Sequence, residues 1–213
     1  KFTLDGRLSR ISSQGYIDKA SSDLKSLYLQ GSYFYENSVL KGMVLRGNER
    51  TYQAWYGVPL NYLDTVRTYN PYNYKNEIDN YHQAHYQLHY IQQISNLTNY
   101  NIVGHYTHGE GYYEQKKLGD NLNNYDLENV LIGNDTVTTT DLIRRKWLNN
   151  DFGGVVYSIN YQTRKTNLII GGATNKYSGQ HYGNIIWTEY SSDPNYSHQY
   201  YWNKAEKSDH SFY

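Results

Sequence analysis

Gln83-Ala84-His85-Tyr86-Gln87-Leu88-His89-Tyr90 is the stretch that decides the fold. Ala84, Tyr86, Leu88 and Tyr90 share one parity, and Gln83, His85, Gln87 and His89 share the other. Side chains of an extended strand point alternately to opposite faces, so this order gives a sheet one apolar, ring-bearing face and one polar face. A helix would scatter both sets around its circumference.

The same period recurs on either side. Phe2, Leu4, Gly6 and Leu8 stand against Thr3, Asp5, Arg7 and Ser9, and Leu27, Leu29, Gly31, Tyr33 and Tyr35 against Ser26, Gln30 and Ser32. Downstream, Tyr100, Ile102, Gly104 and Tyr106 oppose Asn101 and His105. Val155, Tyr157, Ile159 and Tyr161 oppose Ser158, Asn160 and Gln162. Segments 39–46 and 167–174 are apolar on both parities and signal a strand less cleanly. Short links rich in Asn, Ser, Thr and Lys fall between Tyr35 and Val39, Ile94 and Tyr100, and Gln162 and Asn167, and read as hairpin turns. The remaining links are long, at about 11–23, 47–81, 107–154 and 175–208. Short and long links alternate. In a meander this puts every short turn on one rim of the sheet and every long loop on the other.

Composition narrows the class further. The chain has 213 residues, with 27 Tyr, 4 Trp, 3 Pro and no Cys. It is too aromatic for disorder and poor in the residues that fill long helices. Without cysteine there is no disulfide framework and no thiolate site. Twenty Lys and Arg balance twenty Asp and Glu, so no basic field draws a phosphate backbone, and no nucleic-acid partner is expected. A mean hydropathy of −0.86, with no apolar run approaching about 18 residues, excludes a membrane-spanning helix. It does not exclude the strands of an outer-membrane barrel, which alternate apolar and polar residues over about ten positions. Long loops, short turns and a wealth of tyrosine at apolar–wet boundaries fit such a barrel. The expected fold is therefore all-β, an antiparallel up-and-down meander forming part of a large transmembrane β-barrel with long extracellular loops. The first residues, Lys1-Phe2-Thr3-Leu4-Asp5-Gly6, show no apolar targeting core and no small-residue cleavage site. The expectation is one partial barrel domain over 1–213, of seven or eight strands, without a signal peptide and cut from a longer chain.

Particular stretches carry a resemblance. Arg10-Ile-Ser-Ser-Gln-Gly-Tyr-Ile-Asp-Lys-Ala-Ser-Ser-Asp23, Glu49-Arg-Thr-Tyr-Gln-Ala-Trp-Tyr-Gly57 and His105-Tyr-Thr-His-Gly-Glu-Gly-Tyr-Tyr-Glu114 resemble the barrel domain of TonB-dependent outer-membrane receptors. So do Ile143-Arg-Arg-Lys-Trp-Leu-Asn-Asn-Asp-Phe-Gly-Gly154 and Gly171-Gly-Ala-Thr-Asn-Lys-Tyr-Ser-Gly-Gln-His-Tyr-Gly-Asn-Ile-Ile-Trp187. The resemblance spans nearly the whole chain. It implies a 22-stranded barrel, of which this chain would be about a third, with a plug domain and a TonB-contacting box that do not appear in this sequence. It further implies the outer membrane of a Gram-negative bacterium, lipid around the barrel, and the TonB complex as a partner reached through the missing plug. The implied activity is uptake of a scarce small-molecule or glycan ligand: siderophore-bound iron, a cobalamin-like cofactor or a glycan.

Under that reading ligand contact falls on the long loops. Their aromatic clusters are Trp55 with Tyr56; Tyr69, Tyr72 and Tyr74; Tyr112 with Tyr113; and Trp187, Tyr190, Tyr196, Tyr200, Tyr201 and Trp202. Ring faces stack on sugars, catecholates or macrocycles, though the same rings also pack long loops against one another. Arg144, Arg145 and Lys146 form the densest cationic run and suit an anionic siderophore or lipid phosphate. The ligand-binding candidates are accordingly Trp55, Tyr56, Tyr112, Tyr113, Arg144, Arg145, Trp187 and Trp202.

No resident cofactor and no metal ligands are expected. His105 and His108 point to opposite faces of a strand, and His85 and His89 share a face about 13 Å apart at ~3.3 Å per residue. Only a cross-strand pair would bring histidines together, and they are expected to line the polar face. No catalytic residues are expected either. Glu110 and Glu114 are the only carboxylates suggesting a glycosidase pair, and no G-x-S-x-G, H-E-x-x-H or phosphate-loop motif occurs. The alternative of a different class is a soluble, aromatic-rich carbohydrate-binding β domain, to be separated from the barrel segment by whether the chain needs detergent.

Overall fold

The computed structural model describes residues 1–193 and 197–213. Its strands are β1 (Phe2–Ser13), β2 (Ser22–Tyr35), β3 (Ser38–Tyr52), β4 (Ile78–Ser95), β5 (Thr98–Asn121), β6 (Val130–Ile132), β7 (Asp135–Val137), β8 (Thr139–Gln162), β9 (Asn167–Thr188) and β10 (His198–Phe212). Eight form one antiparallel sheet in the order β1-β2-β3-β4-β5-β8-β9-β10, and β6 and β7 pair separately. The sheet is open, with β1 and β10 at its edges. Two short 3₁₀ turns, Leu60–Tyr62 and Leu122–Tyr125, are the described helical elements, and neither is long and apolar enough to cross a membrane.

The register carries the alternation across the whole sheet. One row runs Phe2, Tyr33, Leu40, Tyr90, Ile102, Tyr157, Gly172, Phe212, and the next runs Leu4, Gly31, Gly42, Leu88, Gly104, Val155, Thr174. The opposite face carries rows such as Asp5, Gln30, Met43, Gln87, His105, Gly154 and Asn175. A slip of one residue in any strand would exchange its two sets, so the apolar rows fix the register.

Burial is inverted relative to a water-soluble sheet. Ser32 on the polar face is 4% exposed, whereas Leu4, Leu88 and Ile159 on the apolar face are 64%, 57% and 53% exposed. Along β2 the apolar set from Leu27 to Tyr35 covers about 26 Å of strand, close to the ~25 Å apolar band of a transmembrane barrel. Beyond that band the same face turns polar: Arg10 pairs with Asp23 at 3.0 Å, and His108 and Asp151 stand opposite each other. The small buried core, Leu122, Tyr125, Leu127, Leu142 and Ile185, lies at the end where the long links are.

The turns 36–37, 96–97 and 163–166 all fall at one end of the sheet, as alternating short and long links require. Segments 39–46 and 167–174, apolar on both parities, belong to β3 and β9. The long links are shorter than the sequence suggests: 14–21, 53–77, 122–138 and 189–197. Their outer parts are strand, because β5 and β8 stay paired from Thr98 opposite Tyr161 to Asn121 opposite Thr139. There polar and aromatic residues stand on both parities, with Leu142, Ile143 and Leu148 interspersed, so hydrophobic alternation fades while the backbone ladder continues. Tyr196 of the last aromatic cluster lies outside the described residues.

Candidate functional site

At the long-link end β4 begins at Ile78 while β5 runs on to Asn121, leaving β5 without its β4 neighbour past Tyr113. An exposed strand edge needs partners for its backbone groups, and link 53–77 supplies them. The buried side chain of Gln53 donates through Nε2 to the carbonyls of Ile78 (3.1 Å) and Glu114 (3.0 Å). Its backbone N–H donates to Glu77 O at 2.8 Å, and Asn70 Nδ2 donates to the carbonyls of Gln53 (3.0 Å) and Asp18 (2.9 Å).

Two carboxylates are buried here, Glu114 of β5 beneath the link and Glu77 at the link's own end. Glu114 accepts from Tyr74 Oη at 2.7 Å and from Arg145 Nε at 2.8 Å. Burial pushes the Glu77 carboxyl up to about 7, partly opposed by the Lys116 backbone N–H and the Lys117 charge. Burial, then the hydrogen bond to Glu114, raises the Tyr74 phenol to about 12.

The eight sequence candidates separate onto two faces. On the polar face Trp55 packs edge-on against Tyr113 at 5.3 Å between ring centroids and against Tyr72 at 6.3 Å, and Tyr56 joins Tyr72 at 5.4 Å. Arg144 lies on this face too, donating to Gln115 Oε1 (3.0 Å) and Tyr125 Oη (3.2 Å). Beside it Lys146 lies 5.8 Å from the centre of the Tyr201 ring; burial first, then the Arg144 and Lys117 charges, holds its ammonium below the usual range. Arg144 Nε and Tyr200 Oη are buried without a hydrogen-bond partner among the described residues. Two cations among tyrosines, with donors to spare, suit an anionic ring-bearing ligand.

On the other face a row of rings crosses four strands: Tyr112, Trp147, Tyr182 and Trp202 are successive register partners. The Tyr112 and Trp147 centroids lie 4.6 Å apart, and Trp147 and Tyr182 stack at 5.8 Å with 7° between planes. Arg145 lies over Tyr112 at 4.3 Å. Trp187 stands opposite Ile143 and joins neither group among the described ring contacts. Of the eight candidates, Trp55 and Tyr56 sit on a loop; Tyr112, Tyr113, Arg144, Arg145, Trp187 and Trp202 sit on strands, because the sheet continues past its apolar band. Gln53, Trp147 and Tyr182 escaped the sequence reading, which placed Tyr72 and Tyr74 among the loop aromatics and Glu114 only as a glycosidase candidate. Each acquires its role through cross-strand register or link packing, which no local pattern encodes.

The histidines divide in the same way. On the polar face His89 Nε2 donates to Gln87 Oε1 (2.8 Å) and Gln87 Nε2 donates to His85 Nε2 (2.8 Å), leaving His85 Nδ1–H for Thr107 Oγ1 (2.5 Å). His85 and His89 are thus joined by an amide bridge. On the opposite face His82, His108 and Glu110 place one donor atom each within 4.8 Å of one another, a grouping sequence spacing did not reveal. Glu110 and Glu114 do not converge as a glycosidase pair: they lie four residues apart on one strand, about 13 Å, and both Glu114 oxygens are engaged. No family model matches this chain, and no curated protein matches it.

Proposed function

We propose that this chain forms part of the barrel wall of an outer-membrane TonB-dependent receptor that takes up a scarce ligand. The observation that carries this reading is the inverted sheet, with apolar rows exposed, polar rows sheltered and every short turn at one end. An apolar face of this extent in water would drive association, whereas lipid solvates it at no such cost. The family-like stretches add the receptor class. The eight main strands would supply about a third of the barrel such a receptor implies. The polar face would line the lumen and the long-link end would meet the ligand. Arg144 and Lys146 beside Tyr113 and Tyr201 favour the anionic, ring-bearing members of the ligand range, such as a ferric catecholate siderophore, over a neutral glycan. Energy would come from the TonB complex through a plug region.

One observation favours a second reading, a soluble carbohydrate-binding β domain: the row Tyr112, Trp147, Tyr182 and Trp202 gathers four aromatic rings on one face, the residue type that stacks on sugars. Light scattering on the full chain, with and without detergent, separates the two. The receptor reading expects monodisperse protein in micelles and concentration-dependent association without them. A detergent-free monomer at micromolar concentration that retains glycans on an immobilised array would sink it.

A further inference from the structure

We propose that His82, His108 and Glu110 form a binding site for a transition-metal dication of the Zn²⁺ class, built across β4 and β5 and braced by Asp151 of β8. His82 faces Glu110, and His108 faces Asp151, in the register of these three strands. All four residues lie on the same face, just past the apolar band. The three donor atoms lie within 4.8 Å of one another. A tetrahedral site with bonds of about 2.0–2.1 Å needs its ligand atoms about 3.3 Å apart, a difference that small side-chain rotations close.

The donors also have the arrangement that ligation requires. His108 Nδ1 lies 2.9 Å from Asp151 Oδ1, which also accepts from the Tyr106 hydroxyl. A carboxylate on one ring nitrogen fixes the tautomer and turns the other nitrogen, with its lone pair free, toward the metal. That nitrogen, Nε2, is 3.8 Å from Glu110 Oε2, too far for a hydrogen bond. Nε2, the Glu110 carboxylate and the His82 ring therefore converge without a hydrogen bond between His108 and Glu110. Two imidazoles and one carboxylate favour Zn²⁺, Co²⁺, Ni²⁺ or Cu²⁺ over Mg²⁺ or Ca²⁺. Three protein ligands leave a fourth position for water or an anionic oxygen from the surroundings. The inference needs only the register of β4, β5 and β8 and stands apart from the membrane reading.

The test is titration of the full chain, kept monomeric, with Zn²⁺ against a chromophoric chelator, and with Co²⁺ followed by visible absorption. One equivalent is expected to bind, with Co²⁺ bands of a tetrahedral or five-coordinate site. His82→Ala, His108→Ala and Glu110→Gln should each weaken Zn²⁺ binding at least about 10-fold, and Asp151→Asn, which touches no metal, by about 10- to 100-fold. His85→Ala and His89→Ala, on the opposite face, should leave it within about two-fold. Glu110→Gln preserves side-chain size, so weaker binding with an unchanged far-ultraviolet circular dichroism spectrum reports the ligand and not the fold. Absence of a one-to-one Zn²⁺ complex, or affinity losses equal for His85→Ala and His108→Ala, would overturn the site.

Discussion

Arg145 meets Glu114 through Nε at 2.8 Å while lying over the Tyr112 ring, and Glu114 is 1% exposed. Burying a carboxylate is costly unless it is paired, so removing one partner costs more than removing both. Arg145→Met should destabilise the long-link end by about 2–3 kcal/mol, below the ~3–5 kcal/mol of a fully buried pair because the Arg145 side chain is 32% exposed. Pairing it with Glu114→Gln should recover most of the loss. Urea midpoints of the two variants in the same detergent check this, and equal losses would show that the ion pair is not what holds the end together. This pair exists only through the register of β5 with β8. The sequence offered Arg145 as part of a cationic run and Glu114 as a stray carboxylate, and nothing local joined them.

At the scale of elements, link 53–77 is held over β5 with its last residue, Glu77, buried, and β4 starts with Asp79 nearby. Burial raises Glu77 to about 7, and burial, then the Glu49 charge, raises Asp79 to about 6. Both carboxyls hold their protons more tightly folded than unfolded. The stabilisation is therefore complete below their ordinary values of 4.5 and 3.8 and disappears as pH rises through about 7 and about 6. Amide hydrogen exchange of 53–77, corrected for intrinsic rates, should show the link opening more readily from pH 5 to pH 8. The change should be on the order of 2–3 kcal/mol, with Glu77→Gln removing most of it. A pH-independent opening energy in the unmodified chain would contradict this. The strands within the apolar band were legible because alternation there separates apolar from polar residues. Past the band, β5, β8 and β9 carry polar and aromatic residues on both parities. Backbone pairing continues there without the chemical contrast that reveals it, so strand reads as loop.

For the whole molecule, the exposed apolar rows and sheltered polar rows make a prediction that the absence of native cysteine renders simple to test. Single cysteines carrying a nitroxide at 155 to 160 should alternate in collisional relaxation in proteoliposomes. Oxygen, which concentrates in lipid, should dominate at 155, 157 and 159, and a water-soluble nickel chelate at 156, 158 and 160. Loss of that two-residue period, with the nickel reagent reaching both parities equally, would remove lipid from the apolar face. The fold class was readable from eight residues around Tyr86, whereas the number of strands and the reach of the sheet required the register.

The long paired extension of β5 and β8 has a kinetic consequence. Tyr113 and Arg144, both on the polar face, are carried on a hydrogen-bonded ladder in place of a free loop, so a ligand of the proposed kind would meet groups already fixed. It avoids much of the ordering cost of about 0.5–1.5 kcal/mol per immobilised side chain. Capture at such a surface is governed by encounter rather than by closure of a flap. Differences in affinity between ligands should then appear as differences in residence time.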